Sequence, residues 1–134
     1  MAAERLNPPG LYDPVRYGFS HASITEGGRT IHLAGQVAWD ADYNVVGVGD
    51  LAAQTRQVVA NLRAVLAAAG ATPADVARIR TYVVNHTPDK LAIVGPELGA
   101  LFGDGLPAPN TYIGVQALAL PDFLIEVEAI AVVG

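Results

Sequence analysis

The chain has 134 residues, the size of one ordinary domain, and its 13 acidic against 8 basic side chains leave a formal net charge of −5. That balance speaks against a nucleic-acid partner, whose usual footprint is a basic stripe, and the absence of cysteine excludes disulfides, thiolate nucleophiles and Cys-ligated zinc or iron–sulfur centres. Hydrophobic residues make up 51% and charged residues only 16%, against about 25% in an average globular protein, so part of the surface is expected to lie against other subunits.

Residues 1–16, with Pro8, Pro9, Gly10 and Pro14, read as an extended arm without regular structure, and 17–134 as a single domain. The first residues lack the apolar run of a signal peptide. No stretch approaches the ~20 apolar residues of a membrane span, so a cytoplasmic protein with no membrane partner is expected. A first strand is predicted over 17–25, and the turn Glu26-Gly27-Gly28-Arg29 would join it as a hairpin to a second strand over 30–35. Residues 39–49 read as a loop, in which Val45-Val46 would add a short third strand.

Asp50 opens the clearest helix and Gly70 closes it, with Leu51, Thr55, Val58, Leu62, Val65, Leu66 and Ala69 at helical spacing. Gln54, Gln57, Asn61 and Arg63 fill much of the remainder. Thr72-Pro73 starts one short turn. A long strand follows over 76–86, and Thr87-Pro88-Asp89 starts a second helix through Leu91, Val94, Leu98, Leu101 and Phe102, with a kink or break expected at Gly95-Pro96. The last two strands are predicted over 112–117 and 124–133.

The order β-β-(β)-α-β-α-β-β lets two helices cover one face of one sheet, an α+β architecture. The strands at 79–84 and 124–133 carry apolar side chains on both faces. The second face therefore calls for burial between subunits, where a site could be assembled from two chains. Within this apolar frame Glu126 and Glu128 fall on the last strand. Ionised carboxylates taken out of water need a partner, and Arg80 is a candidate counter-ion for Glu128.

The segments Leu33-Ala34-Gly35-Gln36-Val37, Gln54-Thr55-Arg56-Gln57-Val58, Asn61-Leu62, Leu66-Ala67-Ala68-Ala69-Gly70 and Ile125-Glu126-Val127-Glu128-Ala129-Ile130-Ala131 together resemble the RidA/YjgF family of reactive-intermediate deaminases, over roughly 17–133. The resemblance implies a chorismate-mutase-like fold, a homotrimer with intersubunit clefts, and hydrolysis of small imines and enamines without metal or cofactor. It also implies an arginine soon after a Pro-Ala pair that holds the substrate carboxylate bidentately. In Pro107-Ala108-Pro109-Asn110-Thr111-Tyr112 that position falls on Asn110, or on Pro109 if the gap is placed differently, and neither carries a positive charge. The family's site glutamate matches Glu126 and its N-terminal tyrosine Tyr17. Its serine before Gly-Gln is Ala34 here, and its helix asparagine falls at about Gly95.

Glu126 is thus the catalytic candidate, a carboxylate able to orient or deprotonate water. Asn110, Thr111, Tyr112 and Tyr17 are the substrate-binding candidates around a small-molecule ligand less anionic than a 2-imino acid. Gln36 could also donate to a ligand. His21, His32 and His86 are too scattered for a metal motif, no metal or cofactor is expected, and Ser20-His21 forms no triad because neighbours on a strand point apart. The alternative to a hydrolase is a non-catalytic small-ligand-binding or scaffold trimer of the same fold.

Overall fold

The computed structural model describes residues 3–134. Six strands and two α-helices follow one another as β1 (Glu4–Leu6), β2 (Ala22–Ile24), β3 (Arg29–Gln36), α1 (Leu51–Ala68), β4 (Val76–Val84), α2 (Leu91–Gly99), β5 (Asn110–Val115) and β6 (Ile125–Val133). The main sheet runs β3-β6-β4-β5, antiparallel except for the β4/β5 pair, and β1 and β2 form a separate two-stranded sheet. This is the expected mixed α+β fold with two helices on one face.

Alternation on the two central strands sets the layers. Ile125, Val127, Ala129 and Ala131 of β6 are buried with Ile79 and Val83 of β4, Leu33 of β3, and Val58, Leu62 and Leu66 of α1. Val94 and Leu98 of α2, followed by Leu101 and Phe102 in a closing 3-10 turn, complete this core. The Asp50 carboxylate accepts from the Ala53 N–H at 3.0 Å and caps α1. At the other end Gly70 takes φ +77°, with its N–H bonded to the Ala67 carbonyl and that of Ala71 to Leu66, which satisfies the last carbonyls.

Five expectations are corrected. The arm is not without regular structure: β1 pairs with β2, and Arg5 ties it down by donating to the carbonyls of Val76 (2.5 Å) and Leu106 (3.3 Å). The predicted hairpin does not form. Gly27 and Gly28 both have positive φ, and β3 runs instead along β6, with Arg29 opposite Val133, so that Leu33 faces the helices. The pattern of Ile31 and Leu33 specified a strand but not its partner. Residues 17–25 are mostly irregular, opening with a 3-10 turn over Val15–Tyr17, and Val45 contributes only an isolated bridge to Trp39. Finally, α2 passes through Pro96 to Gly99 without breaking. The proline costs one bond, to the carbonyl of Ala92, in a short helix on which Ala92 and Pro96 are both exposed.

The polar residues of α1 are not all solvated. Gln54 is fully buried, its amide donating to the carbonyls of Gly47 (3.1 Å) and Asp122 (2.8 Å) and its oxygen accepting from the Leu124 N–H (2.9 Å). Asn61 donates to the carbonyls of Val37 (3.0 Å) and Trp39 (3.1 Å). These two side chains therefore fasten to the core the loop after β3 and the segment that leads into β6.

Candidate functional site

On the sheet face away from the helices, β6 presents Glu126, Glu128, Ile130 and Val132, and β4 presents Arg78, Arg80, Tyr82 and Val84. The register sets Glu128 opposite Arg80 and Glu126 opposite Tyr82. Glu128 is accounted for: the Tyr82 hydroxyl donates to its Oε1 at 2.5 Å, and Arg80 Nη1 lies 3.9 Å from the same oxygen. With both charged side chains over a third exposed, at 37% and 38%, the ion pair contributes about 0–1 kcal/mol. The Tyr82 hydrogen bond is the better-defined tether.

Glu126 is different. Among the described residues it forms neither a hydrogen bond nor an ion pair. Desolvation first, and the nearby Glu128 charge second, push its carboxyl pKa above the ordinary carboxylate value. Its carboxylate lies over Gly35, where a Cβ would overlap Oε2 and come within 2.7 Å of the carboxyl carbon. Gly35 belongs to an irregular stretch of β3, where pairing with β6 shifts between Leu33 and Gln36. The bare glycine backbone thus makes the space that Glu126 occupies. A glycine inside a strand pattern signals such a close approach, yet sequence reasoning passed over Gly35 as a site residue, as it did Tyr82.

The other candidates divide between two faces. Asn110 is aligned with Ile79 on the helix side, and its Oδ1 accepts from the buried Thr81 hydroxyl at 3.1 Å. Tyr112, aligned with Thr81, is half-buried against the core, its hydroxyl 3.1 Å from His86 Nδ1, and burial pushes its pKa up to about 12. Thr111, aligned with Arg80, is exposed on the face of Glu126. Alternation carried back one residue assigns position 109 to that face as well. Asn110 therefore points away from Glu126, and of the two positions left open by sequence, Pro109 is the one on its side of the sheet.

Tyr17 is exposed, with the Arg16 guanidinium 5.5 Å from its ring centroid. The next residue, Gly18, lies against α2, where a Cβ would sit 3.9 Å from the Gly95 carbonyl oxygen. Tyr17 and Gly95 thus mark one locality, beside the second helix, and Glu126, Gly35 and Thr111 another, on the uncovered face of the sheet. A single chain does not join them. Gln36 is half-buried at the end of β3, its amide donating to the Ala34 carbonyl at 3.2 Å. A groove of about 720 Å³ opens elsewhere, between Asp50 and Leu51 at the start of α1 and Val84, Lys90 and Ile93, and none of the site candidates lines it. No cluster of three or more potential metal ligands occurs among the described residues, and no described helix is long and apolar enough to cross a membrane.

A two-layer α+β domain with an unpartnered strand carboxylate over a glycine bulge defines the class. Comparison with known proteins gives the family: the model for Endoribonuclease L-PSP matches residues 14–133, and the chain belongs to this family, that of the RidA/YjgF proteins. It is 56% identical to the Rid-family protein YyfB of Yersinia pestis, a protein of unknown function, with a TM-score of 0.96 over 99% of this chain and 100% of that one. A putative endoribonuclease of Thermotoga maritima is 27% identical, with a TM-score of 0.70 over 98% and 93% of the two chains. A RutC family protein of Pyrococcus horikoshii is 33% identical over 112 residues, 83% of this chain and 85% of the relative.

Proposed function

We propose that this protein is a RidA-like small-molecule hydrolase of altered specificity, acting on imines, enamines or related C–N compounds at a cleft between the subunits of a cytoplasmic homotrimer. The carrying observation is Glu126, unpartnered on the uncovered sheet face with its pKa raised by desolvation. A carboxylate tuned upward is a better proton acceptor near neutral pH than an ordinary one. Water attacks the carbon of the protonated C=N group while Glu126 takes one of the water's protons, giving a neutral carbinolamine. Glu126 passes that proton to the nitrogen. As the C–N bond breaks, the carbinolamine hydroxyl gives its own proton to Glu126 and becomes the carbonyl. The products are a carbonyl compound and ammonia, with one proton released through Glu126 to water.

The split of the candidate residues supports an intersubunit location. Tyr17 beside α2 of one protomer would complete a cleft begun by Glu126, Gly35 and Thr111 of its neighbour. Neither Pro109 nor Asn110 can supply the cationic fork that the family resemblance implies, and Asn110 is already engaged by Thr81. This favours one second reading, a non-catalytic ligand binder on the same scaffold. The endoribonuclease description belongs to relatives; a net charge of −5 and two carboxylates on the candidate face weigh against a polyanionic substrate here.

Ammonia release from 2-iminopropanoate, from 2-iminobutanoate and from a carboxylate-free imine, each generated in situ, tests the reading. Turnover of at least one that falls 100-fold or more in Glu126→Gln is expected. Full activity in Glu126→Gln removes the carboxylate from the mechanism, and no turnover of any imine leaves the binder reading. Pro109→Arg, on the correct face, should raise activity toward the two imino acids; Asn110→Arg should not, because it buries a guanidinium against Thr81.

A further inference from the structure

Glu126 has neighbours on its own face from all four strands of the sheet, and together they specify the charge of what it meets. On its own strand is Glu128, a second negative group that raises the cost of ionising Glu126. On β4 the two positive groups are Arg80, set against Glu128 at 3.9 Å, and Arg78, exposed and aligned with Ile130 rather than with either carboxylate. On β5 the facing residues are Thr111 and Ile113, neutral both, and position 109 is a proline. On β3, His32 is aligned with Ile130, and the position next to Glu126 is the bare backbone of Gly35. One carboxylate is compensated and the other is not.

An anionic ligand brought to this place would add a third negative charge beside Glu126, with no free cation of the same chain aligned to it. A cationic nitrogen would supply the missing hydrogen-bond donors and lower the cost of keeping Glu126 ionised. The bare Gly35 backbone seats that carboxylate against β3, since a Cβ there would overlap its Oε2. Ile113 and Ile130 offer a short apolar wall on the same face.

We propose that the Glu126 site recognises a small cationic nitrogen compound without a carboxylate, an iminium, amidinium or primary ammonium carried on a short apolar chain, held by Glu126 over Gly35. The inference rests on the placement of the ligand site at Glu126 made above and adds the charge class of the ligand. It differs from the 2-imino acids that the family resemblance implies, because the recognition element is the carboxylate and not an arginine.

The test uses the intact ¹⁵N-labelled protein titrated with propylammonium, acetamidinium, propionate and 2-oxobutanoate, followed by amide shifts and calorimetry. Both cations should shift Gly35, Gln36 and Val127, and the two carboxylates at equal concentration should not. Glu126→Gln should weaken the cations at least ten-fold, and raised salt should weaken them further. If 2-oxobutanoate shifts Gly35 more strongly than propylammonium, and Arg80→Gln abolishes that effect, the charge class is wrong while the site stands. If no probe shifts Gly35, or the cations bind with shifts confined to other residues, the site assignment fails and the proposal with it. The wild-type comparison of cations with acids decides the matter even if a variant folds poorly.

Discussion

At Gly35 and Glu126 two residues far apart in sequence share one small volume, and each predicts the behaviour of the other. Gly35→Ala should displace the Glu126 carboxylate rather than unfold the chain, because the clash is with the end of a flexible side chain. A stability loss of no more than about 1 kcal/mol by urea denaturation, with ligand binding or turnover reduced as far as in Glu126→Gln, is the expected pair of results. Glu126 itself should act against stability. Its folded pKa lies above the unfolded value, so its contribution is fully favourable below the unfolded pKa and is lost as pH rises through the folded one. Glu126→Gln should therefore raise the melting temperature at pH 7–8 and lose that advantage below about pH 4, a pattern that thermal melts across pH will check. Sequence comparison reached Glu126 by motif. It missed that Asn110 faces the other way, because the side of a strand on which a residue falls depends on a register that only pairing sets.

At the scale of elements, α1 shows why its boundaries were legible. Its cap, its apolar stripe and its terminal glycine all lie within the helix and its immediate flanks, so local chemistry suffices. Asp50→Ala should cost roughly 1 kcal/mol in chemical denaturation by removing the bond to the Ala53 N–H. Strand identity was equally legible for β3, β4, β5 and β6, to within two residues at their ends. Strand partnership was not. The Gly27-Gly28 turn looked like a hairpin connection, but the short β2 found its partner in the arm, through Arg5 and through Asn7, which bonds both the Ser20 hydroxyl and the His21 N–H. Nothing in the arm's composition announces that pairing, since a three-residue strand carries almost no periodic signal. The burial of Gln54 was hidden for a related reason: two of its three partners, Asp122 and Leu124, lie in the segment before β6, distant in sequence.

For the whole molecule, the uncovered sheet face is the largest unsettled account. It carries Ile113, exposed at 40%, and half-buried Tyr82, Val84, Ile130 and Val132, beside the two carboxylates. An apolar face of that extent is expected to be buried by association. Light scattering should give three times the 13.9 kDa chain mass, and Ile130→Glu should shift the population to monomer while leaving far-UV dichroism in place. Activity or ligand binding lost in that monomer, with Glu126 untouched, would mark the site as one that two chains build.

The central position of β6 has a consequence for how the molecule comes into being. This strand lies between β3 and β4 yet follows every other element in chain order. Before it arrives, β3 has no partner in the main sheet, and the only ladder available there is the parallel pair β4/β5, closed across the α2 crossover. Parallel pairing and pairing between distant segments form slowly, because loop closure must precede the contacts that reward it. A growing chain must therefore hold two apolar elements apart, open to misassociation, until one nine-residue segment is in place. That segment carries Glu126, so the sheet closes and the catalytic candidate is positioned in a single late event.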